Sequence, residues 1–402
     1  MLAPYKDCLS RPHVTYLFAT NLLGRLPNGM APLGIALFLR SHGMSFAVVG
    51  GITALYGLST AVGGPLLGRA VDRLGQPRVL WVSALVSAAG FLALIWAGGR
   101  HTGAAAAAAA VAGLSSPPLE PCLRTLWPSV LDDKRAIASA YALDASLQEV
   151  VFAAGPLFVV LIGWLAGAGP ALAFTTLAMI VGTLAYVTPE PVRLWRAEPR
   201  QPDWAGPLRS RMLRRLLLAL ACVGVGLGAL NIDTVAYQEH IGHAGLSGIL
   251  LGVNAAGALV GGLYYGARQW KATTMRQLQV LLAGMACCYL LLALVPPPAV
   301  AIALVFLAGL FLSPVLACGF GIIGDVAPPG TATEAFAWMV TAVLTGNAVG
   351  SSAAGVAEQH AGLWASFLVP GAAAAVAALV AVVLLRDAAQ PPQNSSMKAM
   401  HP

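Results

Sequence analysis

The stretch Gly68-Arg69-Ala70-Val71-Asp72-Arg73-Leu74-Gly75-Gln76-Pro77-Arg78 decides how the rest of the chain is read. Its four charged residues and two glycines lie between apolar runs at 45–67 and 78–98. Each run is long enough to cross a hydrocarbon core, which takes about 20 helical residues. A short charged connection between two such runs is a loop of a polytopic membrane protein. Gly68 and Gly75 permit close helix approach and a tight turn.

The whole chain has the same character. It has 402 residues, 58% hydrophobic and only 10% charged, with mean hydropathy +0.77, where soluble domains are about 25% charged. The pattern predicts twelve spans, near 13–37, 45–67, 78–98, 103–123, 137–165, 170–188, 214–238, 245–267, 274–295, 298–324, 333–356 and 363–385. The first run is of full length and lacks a small-residue cleavage site before the second, so it is expected to remain as a span. The expected fold class is an all-α membrane protein.

Basic residues orient the spans. Of 23 Lys and Arg, Arg25 lies inside the first span and only Arg40 and Arg100 lie in loops on the far side. The others fall at the N-terminus, after even-numbered spans, or in the tail. Basic loops stay cytoplasmic, so both termini and the middle loop are expected inside the cell, in the cytoplasmic membrane. The net charge of +7 is then a topology signal and needs no nucleic-acid partner.

The middle loop, about 189–213, is rich in Pro and Arg and splits the spans six and six. A repeat accompanies the split: Val62-Gly63-Gly64-Pro65-Leu66-Leu67-Gly68 aligns with Val260-Gly261-Gly262-Leu263-Tyr264-Tyr265-Gly266 at an offset of 198. Chance agreement in Gly-rich apolar sequence is the alternative. The loop at 68–78 resembles the one after the second helix of the major facilitator superfamily of secondary transporters, roughly Gly-x-Leu-x-Asp-Arg-x-Gly-Arg-Lys. Gly68, Asp72, Arg73 and Gly75 fall on its positions, while Gln76 and Pro77 depart from its basic end.

That resemblance implies the major facilitator fold, two pseudo-symmetric six-helix bundles related about an axis along the membrane normal. They would occupy 1–188 and 214–386, with a cytoplasmic linker at 189–213 and a disordered tail at 387–402. It also implies that the Asp72-Arg73 loop couples the halves on the cytoplasmic face and locks the outward-facing state. A carboxylate can sit against a positive helix N-terminus, such as the start of the eleventh helix. The drug-exporting branch is matched only in part. Ala154-Gly155-Pro156 is similar to its Gly-Pro motif without the further spaced glycines, and Leu119-Glu120-Pro121 stands where an Arg-x-x-Gln-Gly signature belongs.

Polar side chains at lipid depth are costly and mark function. In the first span Asn21, Arg25 and Asn28 share one face, beside Pro27. In the fifth, Asp144 and Gln148 share a face with Glu149 beside it. Arg25 and Glu149 each lie 12 residues into their spans, about 18 Å at 1.5 Å per residue, which predicts an Arg25–Glu149 pair serving substrate, stability or both. Glu120, expected near the cytoplasmic end of the fourth span, has two readings: an i,i+4 ion pair with Arg124, or a substrate or proton carboxylate exposed by a Pro-broken helix. Asp233 in the seventh span is either a second protonation site or a solvated helix end. Thr331 to Glu334 reads as a capping box.

Other chemistry finds little support. Gly224-Val225-Gly226-Leu227-Gly228-Ala229 fits a dinucleotide pattern but lies inside an apolar span with no preceding strand, so the glycines are read as a helix-packing face. There is no ATP-binding Gly-x-x-x-x-Gly-Lys-Ser/Thr loop. The six cysteines show no metal spacing and are read as packing residues. The alanine run 104–110 is read as a packed face of the fourth helix. The expectation is therefore a monomeric secondary transporter, no enzyme, using no cofactor or metal. It would export small drug- or metabolite-like organic compounds by proton antiport, with uptake of a polar nutrient such as a sugar or nucleoside as the alternative.

Overall fold

The structure, a computed structural model, describes residues 3–98, 101–199 and 205–388, with side chains through Val382. A short helix α1 (Ala3–Ser10) precedes the first span, which is built from α2 (Val14–Gly24) and α3 (Pro27–Ser41). Then follow α4 (Phe46–Leu74), α5 (Gln76–Ala97), α6 (Thr102–Leu114), α7 (Leu119–Val130), α8 (Lys134–Ala166) and α9 (Ala168–Tyr186). After a short α10 (Glu190–Leu194) and a 3-10 turn (Gly206–Arg209) come α11 (Arg211–Ile241), α12 (Leu246–Ala267) and α13 (Thr274–Leu292). The last three are α14 (Pro298–Val326), α15 (Ala332–Ala361) and α16 (Leu363–Ala388). Among the described residues eleven segments are helices long and apolar enough to cross a membrane. The remaining predicted span is the pair α6 and α7. Of the predicted tail at 387–402, all beyond Ala388 lies outside the described residues.

Two spans are broken, and proline explains both breaks. Arg25 ends α2 with φ −99° and ψ 3°, and Pro27 opens α3, where its missing N–H costs nothing. Pro117 and Pro118 stop α6, because neither can donate and each disfavours a helical residue before it; α7 restarts with Pro118 as its N-cap. The predicted fourth span at 103–123 is thus corrected. It is discontinuous and runs on to Val130, which puts Glu120 in the first turn of a mid-span helix rather than near an end.

Small residues set the helix spacing. A Cβ at Gly228 would lie 1.8 Å from the Asn347 carbonyl oxygen, and one at Gly350 would lie 2.0 Å from that of Val225. Gly224 and Gly228 of the dinucleotide-like pattern are therefore the contact between α11 and α15, while Gly226 faces α13 and α16. In α6, Ala105, Ala108, Ala109 and Ala112 are buried on one face. The repeat has matching contacts: Gly63 packs on the Leu114 carbonyl and Gly261 on that of Leu310, while Gly68 and Gly266 meet α15 and α8 respectively.

The helices before residue 189 and those after 210 touch one another near the face where α1, the end of α4 and the start of α15 lie; this is the basic face. Thr341 donates to the Ala61 carbonyl at 2.7 Å and Ser139 to that of Gly266 at 2.9 Å. The Tyr5 hydroxyl of α1 lies 3.1 and 2.9 Å from the carbonyls of Gly262 and Leu263 in α12. Toward the opposite face, nothing lies within 4 Å of Cβ positions at Gly50, Gly57, Gly248, Gly252 or Gly355. The two sets of helices are thus tied together at the basic face, and the open Cβ positions leave room for a cleft toward the other.

Candidate functional site

Two arginines and two acids meet beside the breaks. Arg25 Nη1 donates to Asp144 Oδ1 at 2.5 Å, and Arg124 Nε donates to Asp144 Oδ2 at 2.7 Å. Glu120 joins both: its Oε1 lies 3.6 Å from Arg25 Nε and its Oε2 3.3 Å from Arg124 Nη2. Asn28 donates to Glu120 Oε1 at 2.8 Å, Arg124 Nη2 to Gln148 Oε1 at 2.9 Å, and Asn21 to the Leu119 carbonyl at 2.8 Å. Asp144 is wholly buried; Arg25, Glu120 and Arg124 are at most 5% exposed. Two positive and two negative groups cancel, which makes the burial tolerable. Glu120 gains further from the N-terminal turn of α7. Arg25 Nε and Nη2 have no hydrogen-bond partner.

The predicted Arg25–Glu149 pair is corrected: Arg25 takes Asp144 and Glu120. Matched depth was right, but rotation decides. Five residues on an α-helix turn the side chain about 140°, so Glu149 leaves the face of Asp144 and follows Ala142 and Ser146. Those two face Gly266 and Gly262 of α12. Glu149 therefore lies on the α8 face that turns toward α12, half-buried, and forms no ion pair among the described residues. Both readings of Glu120 keep a footing, since it pairs with Arg124 and also opens a Pro-broken helix.

At the basic face, Asp72 caps α15. Its Oδ1 accepts from the Thr333 N–H at 3.1 Å and its Oδ2 from the Glu334 N–H at 3.0 Å. Arg69 grips the Glu334 carboxylate with Nε at 3.0 Å and Nη2 at 2.6 Å. The expected capping box is corrected. The Thr331 hydroxyl donates to the Pro328 carbonyl at 2.7 Å and makes no cap bond. Gly68 allows the approach, as a Cβ there would sit 3.0 Å from Glu334 Cα, and Gly75 turns the chain at φ +85°. Arg73 is exposed and forms no ion pair among the described residues. Gln76 is fully buried, donating to the Cys122 carbonyl at 2.9 Å and accepting from Tyr186 at 3.3 Å, so the departure from a basic residue ties α5, α7 and α9 together.

The closure reaches the buried network. The Arg124 guanidinium carbon lies 3.8 Å over the Phe320 ring of α14, and Tyr141, Phe320 and Phe336 cluster with centroids 6.0–6.5 Å apart. Asp233 is not at a solvated end: it is fully buried, bonded to Ser366 of α16, with Oδ2 unpaired.

The family model of the Major Facilitator Superfamily matches residues 17–307. The chain belongs to that superfamily. No curated protein matches it in sequence. Among solved structures, a bacterial homologue of the iron transporter ferroportin in an outward-facing state is similar at TM-score 0.76 and 15% identity, over 92% of this chain and 99% of that one. The Escherichia coli fucose:proton symporter is similar at TM-score 0.71 and 14% identity, over 92% and 98%. Identities this low show the fold alone. Among the described residues of this major facilitator protein, no three His, Cys, Asp or Glu side chains converge as a metal site.

Sequence reasoning missed Arg124 as the second clamp on Asp144, and Arg69 with Glu334 as the ion pair between α4 and α15. Arg124 gave one signal, its i,i+4 relation to Glu120. Arg69 gave another, one turn before Arg73 in the stretch that decides the fold.

Proposed function

We propose that this transporter exports small, largely apolar or amphipathic organic compounds in exchange for protons, by alternating access. The observation that carries it is a lone carboxylate in an apolar cleft. Glu149 has no cation partner among the described residues, and the cleft it would front has small residues along α15. A groove of about 700 Å³ runs along Ala348, Ser352 and Val356 of α15. In helical register it continues the face that Thr341 presents at the gate.

The working cycle follows from the contacts. With the basic face closed by Asp72, Arg69 and Tyr5, the cleft receives protons from the opposite face. A proton on Glu149 or Asp233 removes a buried charge and favours a bound substrate's release. Parting of α4 from α15 then opens the basic face, where the proton leaves and the next substrate binds. Residues 1–188 and 214–386 serve as the two rocking bundles, joined by 189–213, with the basic face cytoplasmic. One charge crossing roughly 100 mV supplies about 2.3 kcal/mol, a substrate gradient of about 50-fold.

Uptake of a polar nutrient with protons is the second reading. Arg25 Nη2, buried without a hydrogen-bond partner, favours it, since it could bind a polar substrate, and one structural neighbour is a fucose:proton symporter. Everted vesicles made acidic inside separate the two. Compound-dependent proton release that Glu149→Gln abolishes, in a protein that still folds, supports antiport. Alkalinisation outside only when a sugar or nucleoside gradient runs inward through the protein supports symport, as does antiport failing across a broad panel.

A further inference from the structure

Among the described residues, the helices after residue 210 hold one fully buried acid that no cation neutralises. Asp233 of α11 lies against α15 and α16, and among the described residues no Lys, Arg or His forms an ion pair with it. Its Oδ1 contacts Ser366 Oγ, and its Oδ2 is buried with no partner. The Ser366 hydroxyl also reaches the Ala354 carbonyl oxygen, at 3.1 Å.

Counting hydrogens fixes the direction of these bonds. A serine hydroxyl has one hydrogen and can accept through its lone pairs; a backbone carbonyl only accepts. If Asp233 is ionised, Ser366 faces two acceptors with one hydrogen. One contact is then oxygen against oxygen, and the anion keeps an oxygen with no donor at all. A buried carboxylate without a cation or a set of donors is costly. If Asp233 carries a hydrogen, the chain closes: Asp233 O–H donates to Ser366 Oγ, and Ser366 O–H donates to the Ala354 carbonyl. The oxygen left over is then a neutral carbonyl, which tolerates an empty lone pair far better than an anion does.

We infer that Asp233 is the resident proton site of the conformation closed at the basic face, held by Ser366 and the Ala354 carbonyl. Its neighbours reinforce the neutral form. The groups facing it are Glu358 of α15, a like charge whose Oε2 is also buried without a partner, and the Tyr289 hydroxyl of α13; α16 offers Ser366 alone. On its own helix Tyr237 is engaged with the Pro296 carbonyl at 2.5 Å, and Glu239 and His240 are exposed. The three residues of the proton chain come from three helices, so sliding of α11 against α15 and α16 breaks the Asp233–Ser366 bond and leaves Ser366 on the Ala354 carbonyl. That is how helix movement would release the proton. This deepens the proton-coupled reading by choosing between its two candidate carboxylates.

The test reads the proton directly and needs no substrate. Infrared spectra of the purified full chain in lipid nanodiscs at neutral pH are compared with those of Asp233→Asn, which has the shape of the neutral acid. The expected result is one carboxylic C=O band in the wild type, sensitive to deuteration and lost in the variant. In Ser366→Ala the same band should move to higher frequency, as the acid loses its acceptor; this keeps the test valid if Asp233→Asn does not fold. A wild-type spectrum with no band that either variant removes or shifts overturns the assignment. The band without any compound-driven proton flux in vesicles upholds the site and ends the coupling reading. Flux without the band does the reverse and leaves Glu149 as carrier.

Discussion

Removing the Asp72 carboxylate should open the basic face by a calculable amount. Asp72 makes two charge-assisted bonds to the first N–H groups of α15, at 3.1 and 3.0 Å, and both exist only while α4 and α15 are docked. A hydrogen bond to a charged group contributes about 1.5–3 kcal/mol. Asp72 is half-buried, and water replaces it at an opened helix end, so the pair together is worth about 1.5–3 kcal/mol to the closed state. Since 1.4 kcal/mol is a factor of ten, Asp72→Ala shifts the closed-to-open ratio by roughly ten- to hundredfold. The Arg69–Glu334 pair remains and limits the effect. Spin labels at Leu74→Cys and Pro329→Cys, both exposed beside the gate, in a chain without its native cysteines, report the separation by electron double resonance. The short-distance population should fall in Asp72→Ala and fall less in Asp72→Asn, which keeps one acceptor. An unchanged distance distribution in Asp72→Ala would refute the idea that this trans cap holds the gate.

Arg124→Ala leaves Asp144 with a single guanidinium and should cost about 3–5 kcal/mol, read as a lowered thermal midpoint in detergent; Arg73→Ala, exposed and unpaired, should change stability by under about 0.5 kcal/mol. Tyr5→Phe removes the hydroxyl that ties α1 to α12, worth about 1 kcal/mol or roughly fivefold in gate opening. The same variant should speed maleimide labelling of Cys8, whose thiol burial pushes up to about 11 and so keeps it unreactive at neutral pH; equal labelling rates would mean α1 is not a latch. Gly228→Val puts carbon within bonding distance of the Asn347 carbonyl and should abolish the monodisperse peak in size-exclusion chromatography.

Hydropathy made the spans legible because lipid-facing residues carry it. It failed where protein, not lipid, surrounds a span. In α7 the buried side chains include Glu120, Arg124 and Trp127, so an apolar window stops too soon and Glu120 is taken for an end residue. Depth was legible from rise per residue, and it brought Arg25 level with the acids of the fifth span. Azimuth was not, because which side of α8 faces α2 depends on packing that one sequence does not display. Asp72 at a helix N-terminus could be argued from charge alone. Its ally could not: Arg69 and Glu334 are 265 residues apart, and nothing local couples them.

The repeat makes the gate's asymmetry intelligible. Gly68 and Gly266 hold equivalent places, one against the start of α15, the other against α8 near its start. Carried over by the same offset, Asp72 corresponds to Trp270, which stacks on Tyr265 at 5.6 Å and caps nothing. The helix ends explain why one copy keeps the acid. α8 is capped from within its own chain segment, Asp133 accepting from the Arg135 N–H at 3.1 Å. α15 has no such cap, because Thr331 turns its hydroxyl back to Pro328. An N-terminus capped in cis is satisfied whether or not the neighbouring helix is near, so docking α12 there gains nothing from a carboxylate. An N-terminus capped only in trans has its carboxylate in one state alone and water in the other. The free energy of two N–H groups is thereby made to depend on docking of α4 against α15, which is how four atoms of one side chain would serve as a gate.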